Sequence, residues 1–117
     1  MPIIDLSLFE KYKDAVKEFS YFYLDFSRGC PFRCKFCTNS TDYIQSYKMV
    51  RIKTIKKCIE ELNVIKNTKW LKIDNLYISD PVFLPNKKKR EEFYEELNKI
   101  FKEEGGLPFE IQIYERV

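Results

Sequence analysis

Apolar residues recur at helical spacing in three stretches of the chain, and each of these is followed by a short aromatic or β-branched run. Ser7-Leu8-Phe9-Glu10 forms a capping-box pattern, and Tyr12, Ala15 and Phe19 follow at helical intervals, so a short helix is predicted over residues 7 to 18. Tyr21 to Ser27, YFYLDFS, reads as a strand. After an irregular stretch around residues 39 to 47, Ile52, Ile55, Ile59, Leu62 and Ile65 recur at steps of three and four, which predicts an amphipathic helix over 51 to 67. The segment Trp70 to Ser79 holds a second strand, best placed at Leu76 to Ser79. Pro81 and Pro85 then break the pattern, and Asn86 can cap a new helix. Phe93, Leu97, Ile100 and Phe101 give that helix an apolar face as far as Gly105-Gly106, a helix stop. Phe109 to Tyr114, FEIQIY, is the third strand.

Strands separated by single helices are expected to be parallel neighbours joined by right-handed crossovers, since antiparallel neighbours need only a turn. The fold class is therefore α/β, a three-stranded parallel βαβαβ unit preceded by a short N-terminal helix. In such sheets function gathers at the carboxyl ends of the strands. The segment after the first strand and Ser79-Asp80 at the end of the second both fall on that rim.

Composition narrows the function classes. A chain of 117 residues fits one domain with a modest core, and it contains no apolar run long enough to span a membrane. Its net charge of +3 is mild and its acidic residues are interleaved with the basic ones, so nucleic-acid binding is not supported. Ten Phe, eight Tyr and one Trp are numerous for this length, and most are expected in the core. Without a signal-peptide pattern, the lysine and glutamate usage reads as cytoplasmic, where thiols stay reduced and a disulfide framework is not expected. The chain has no histidine, and no other residues form an evident nucleophile and base pair.

Chemistry concentrates in Ser27-Arg28-Gly29-Cys30-Pro31-Phe32-Arg33-Cys34-Lys35-Phe36-Cys37, where Cys30, Cys34 and Cys37 have C-x3-C-x2-C spacing. Three soft sulfur ligands in one loop suit an iron–sulfur cluster or zinc, and a cubane held by three cysteines keeps one iron without a protein ligand. Gly29 allows a tight turn beside the ligands, and Pro31 stiffens the loop between the first two. Cys58 could complete a four-thiolate zinc site, although its amphipathic helical setting reads as core.

The C-x3-C-x2-C run with Phe36 before its last cysteine resembles the cluster loop of the radical S-adenosylmethionine superfamily, and the flanking Ser27 to Phe32 resembles its cobalamin-binding subgroup. The resemblance implies a [4Fe-4S] cluster on Cys30, Cys34 and Cys37 and an enzyme that reductively cleaves S-adenosylmethionine to a 5'-deoxyadenosyl radical. A substrate that the sequence does not name would supply the hydrogen. It further implies cobalamin on a preceding domain, Phe36 near the adenine, and Asp80 accepting from the methionyl ammonium. Asp80 and Phe83 match the subgroup's acidic and aromatic pattern, whereas Ser79 departs from it. An Asp before Pro at a strand end is also an ordinary turn residue. Arg28 and Arg33 flank the ligands, where they could tune a cluster's potential or face solvent.

On this resemblance residues 1–20 form an N-terminal linker and helix, and residues 21–117 form the first three strands of a partial (βα)6 TIM-like barrel, a fragment expected to be inactive alone. The exposed half-barrel interior, expected to be apolar, then offers a homodimer interface, with the third strand as an open edge. The other reading is a non-catalytic metal-binding module, with zinc or a degenerate cluster site.

Overall fold

A computed structural model describes residues 2–16, 19–38 and 50–115. Strands β1 (Tyr21–Leu24), β4 (Asn75–Ile78) and β5 (Glu110–Ile113) form a parallel sheet in the order β1-β4-β5. Helix α3 (Ile55–Asn67) connects the first two of these strands and helix α4 (Lys87–Glu104) the last two. The α/β class and the parallel βαβαβ order are those expected.

Period-two alternation splits the sheet into two unlike faces. Phe22, Leu24, Leu76, Ile78, Ile111 and Ile113 share the core with Leu62 and Ile65 of α3 and Phe93 of α4. On the opposite face, Tyr23, Tyr77 and Gln112 are in register, and so are Tyr21, Asn75 and Glu110. Rings of Tyr21, Tyr23 and Tyr77 meet there at centroid distances of 5.2 to 6.2 Å, and Gln112 Nε2 donates to Asn75 Oδ1 at 2.8 Å. This face, where an apolar surface was expected, is a tyrosine and amide surface, because every second residue of these strands carries a polar atom.

Local signals set the helices. Thr54 Oγ1 accepts from Lys57 N at 3.3 Å and starts α3, and Asn86 Oδ1 accepts from Lys89 N at 3.0 Å and starts α4. Gly105 closes α4 in the left-handed conformation, φ 74°.

Several boundaries differ from the sequence expectation. The helix predicted over 7 to 18 is two single turns, α1 (Ser7–Glu10) and α2 (Lys13–Val16), and residues 17 and 18 lie outside the described residues. Its capping box does not form: Ser7 is already helical, and its N–H donates to Asp5 Oδ1 at 3.0 Å. The expected strand 21 to 27 breaks after Leu24 and resumes as β2 (Ser27–Arg28), which pairs antiparallel with β3 (Arg51–Ile52). Ile52 therefore lies in a strand, and the helix predicted from residue 51 begins only after the Thr54 cap. The second strand sits one residue earlier than placed, with Ser79 beyond its end. Among the described residues no helix is long and apolar enough to cross a membrane.

Candidate metal centre

The three predicted ligands lie in the segment that leaves β2 on the carboxyl rim of the sheet. Gly29 turns the chain with φ 88°, in the region that disfavours side chains, as the motif requires. Cys30, Cys34 and Cys37 are all half-buried and outside any disulfide, and Cys37 N donates to Cys34 O at 3.0 Å across the last turn. Phe36 is 93% exposed, an unusual position for a large apolar ring. The irregular stretch expected over 39 to 47 lies outside the described residues.

The root of this loop is fixed from three directions. The β2–β3 ladder joins its two ends, and Lys53 N donates to Phe26 O at 2.8 Å. The third anchor is Asp80, which follows β4 and is 2% exposed. Its Oδ1 accepts from Phe26 N at 2.7 Å and Ser27 N at 2.9 Å, and its Oδ2 accepts from the Ser27 hydroxyl at 2.6 Å. Asp80 therefore reaches the rim as expected, but both its oxygens are engaged by the backbone and hydroxyl three to four residues before Cys30. Ser79 ties the same strands together, since its N–H donates to Leu24 O at 2.7 Å.

Arg28 Nε pairs with Asp25 Oδ2 at 2.7 Å, and this bond raises the guanidinium pKa above its ordinary value. Arg33 is exposed. Cys58 is fully buried in α3, and burial, followed by the nearby Glu61 charge, pushes its thiol up to about 12. It belongs to the core and stands outside the thiol loop.

Sequence reading missed a buried ion pair next to this root. Both carboxylate oxygens of Glu61 lie 2.8 Å from Lys53 Nζ, and Glu61 Oε1 also accepts from Ile4 N at 3.0 Å. The signal was present, because Glu61 lies between Cys58 and Ile65 on the apolar stripe of α3.

Three thiols within one irregular loop match the donor set of a thiolate-held cluster. Among the described residues, however, no three Cys, Asp or Glu side chains converge closely enough to hold a metal ion. The loop thus carries three thiols on a fixed root without bringing them together into a metal site among the described residues.

No family model matches the chain. No solved structure matches it either. The chain is similar to a protein of Synechocystis sp. described as an uncharacterized methyltransferase, with 33% identity over 87 residues, 74% of this chain. The match takes in 15% of that relative's length.

Proposed function

We propose that the chain is the cluster-binding segment of a radical S-adenosylmethionine enzyme that transfers a methyl group, with Cys30, Cys34 and Cys37 as the ligands of a [4Fe-4S] cluster. The observation that carries this reading is the position of the three-cysteine loop at the carboxyl end of the first strand of a parallel βαβαβ sheet. The relative described as a methyltransferase supports the broader part, chemistry on S-adenosylmethionine. The sheet is then the first half of a partial (βα)6 barrel, and its tyrosine and amide face is the barrel interior.

When bound, such a cluster would supply the single electron that reductive cleavage of S-adenosylmethionine to methionine and a 5'-deoxyadenosyl radical requires. This chain's own residues bind and position. The thiolates of Cys30, Cys34 and Cys37 hold the metal, and the exposed ring of Phe36 offers a face to adenine. Arg33 adds positive charge beside the ligands, whereas the charge of Arg28 is paired with Asp25. An ammonium contact at Asp80 would compete with the bonds its carboxylate already makes to Phe26 and Ser27, so that contact is not assigned to it. Cobalamin, held outside these residues, is the second cofactor that the Ser27 to Phe32 run supports.

Anaerobic reconstitution with iron and sulfide tests the proposal. Visible charge-transfer absorption with about four irons per chain is the expected result. One tightly held zinc, with no iron retained, would favour the non-catalytic metal-binding module instead. The half-barrel should bind S-adenosylmethionine only weakly, which calorimetry on the reconstituted chain measures.

A further inference from the structure

We infer that Asp80 is a positioning residue for the thiol loop, acting through Ser27 to fix the direction in which the chain leaves the sheet toward Cys30. The inference rests on reading the three cysteines as metal ligands. Independently of the cysteine motif, the loop after β4 reaches across to the root of the thiol loop.

The loop between β4 and α4 is rigid for identifiable reasons. Phe83 and Leu84 are fully buried. The Phe83 ring packs edge-on against Phe93 at 5.5 Å, and Phe83 N donates to Tyr114 O at 2.9 Å beyond the end of β5. Leu84 is held at φ 34°, a conformation rare for a branched side chain and kept only where surroundings enforce it. Arg90 Nη1, from α4, donates to Leu84 O at 3.2 Å, while Arg90 Nε pairs with Glu115 at 3.1 Å. This brace is thus tied to α4 and to the segment after β5, and it presents Asp80 to a chain segment more than fifty residues away.

An aspartate that merely ended its own turn would bond within residues 80 to 85. Asp80 instead takes three bonds from Phe26 and Ser27, two of them from successive backbone N–H groups. Bonds to a buried carboxylate are charge-assisted and about twice as strong as neutral ones. They hold Ser27 at the start of β2, and Gly29 then turns the chain into the ligand run. A three-thiolate site has no spare ligand, so wandering at the loop root separates the thiols and weakens the metal.

The test uses the full chain under anaerobic conditions, with Asp80→Asn, Ser27→Ala and the double variant. Amide hydrogen exchange is followed without metal, and cobalt(II) alone is titrated through its thiolate charge-transfer absorption. Exchange over residues 26 to 38 should rise in both single variants while α3 and α4 keep wild-type protection. Cobalt affinity should fall about tenfold in Asp80→Asn, the size of one charge-assisted bond. Ser27→Ala should lose less, and the double variant should lose little more than Asp80→Asn, because the two act as one unit. Wild-type exchange and wild-type cobalt affinity in the folded variants would overturn the inference, and so would loss of protection spread evenly over every element. Ser27→Ala decides the matter if Asp80→Asn does not fold. A wild-type chain that holds no cobalt would refute the metal reading itself, and the exchange contrast would still decide whether Asp80 positions the loop.

Discussion

Lys53 and Glu61 face each other inside the protein, with both carboxylate oxygens 2.8 Å from the ammonium and side chains 5% and 1% exposed. The pair joins the residue after β3 to α3, and Glu61 also holds the N-terminal segment through Ile4 N. Removing one partner leaves an unpaired buried charge, which costs about 3–5 kcal/mol, whereas replacing both with apolar residues of similar volume is often neutral. Lys53→Met or Glu61→Leu alone is therefore expected to lower the denaturation midpoint sharply, and the double variant to recover most of the loss. A loss in the double variant equal to the sum of the two single losses, read by urea unfolding, would show that the pair carries no such coupling.

A second expectation concerns the ligands. Replacing any one of Cys30, Cys34 or Cys37 with alanine should abolish cluster assembly, since a three-cysteine cubane has no redundancy. Cys58→Ala should retain the iron content of wild type, because Cys58 is fully buried in the core. Iron analysis after reconstitution checks this, and an empty site in Cys58→Ala would make Cys58 a fourth ligand.

What could be read from the sequence follows the range of the interactions concerned. Helix α4 was legible from end to end, since its Asn86 cap and Gly105 stop act within a few residues. The three parallel strands were legible through their aromatic or β-branched runs and the helices between them. The β2–β3 ladder was not, because a two-residue strand carries no pattern and its partner lies across the whole thiol loop. That long-range pairing is also why Ile52, in step with the helical series, was misassigned. At the site, the three cysteines announced themselves by spacing alone. The anchor did not: Asp80 was visible as a rim residue, but its bonds to Phe26 and Ser27 exist only once β1 and β4 lie side by side.

The end of α4 gives a third expectation. Gly105 has φ 74° with nothing within 4 Å of an added Cβ, whereas at Gly106, φ 96°, that atom would lie 2.9 Å from the Phe101 ring. Gly105→Ala should cost about 1–2 kcal/mol through backbone strain alone. Gly106→Ala should cost more, since its backbone lies further from the left-handed basin and Phe101 must also move. Thermal unfolding of the two variants would contradict this if Gly105→Ala proved the worse.

The last expectation is a pH dependence at Cys58. Burial, then the Glu61 charge, raises this thiol from 9.0 to about 12 in the folded protein. Between those values the unfolded chain has released the proton and the folded chain has not, so the folded state binds more protons and stability falls as pH rises. The contribution is complete below pH 9.0 and is lost progressively toward pH 12. The limiting slope for one such group is about 1.4 kcal/mol per pH unit. Cys58→Ala removes the group and leaves a small cavity costing about 1 kcal/mol at every pH. The advantage of wild type over the variant should therefore be constant near neutral pH, shrink above about pH 9 and reverse toward pH 12. Urea midpoints measured in parallel on the two proteins test this, and a gap that stays constant into the alkaline range would mean that the Cys58 thiol ionises as readily in the folded protein as in the unfolded chain.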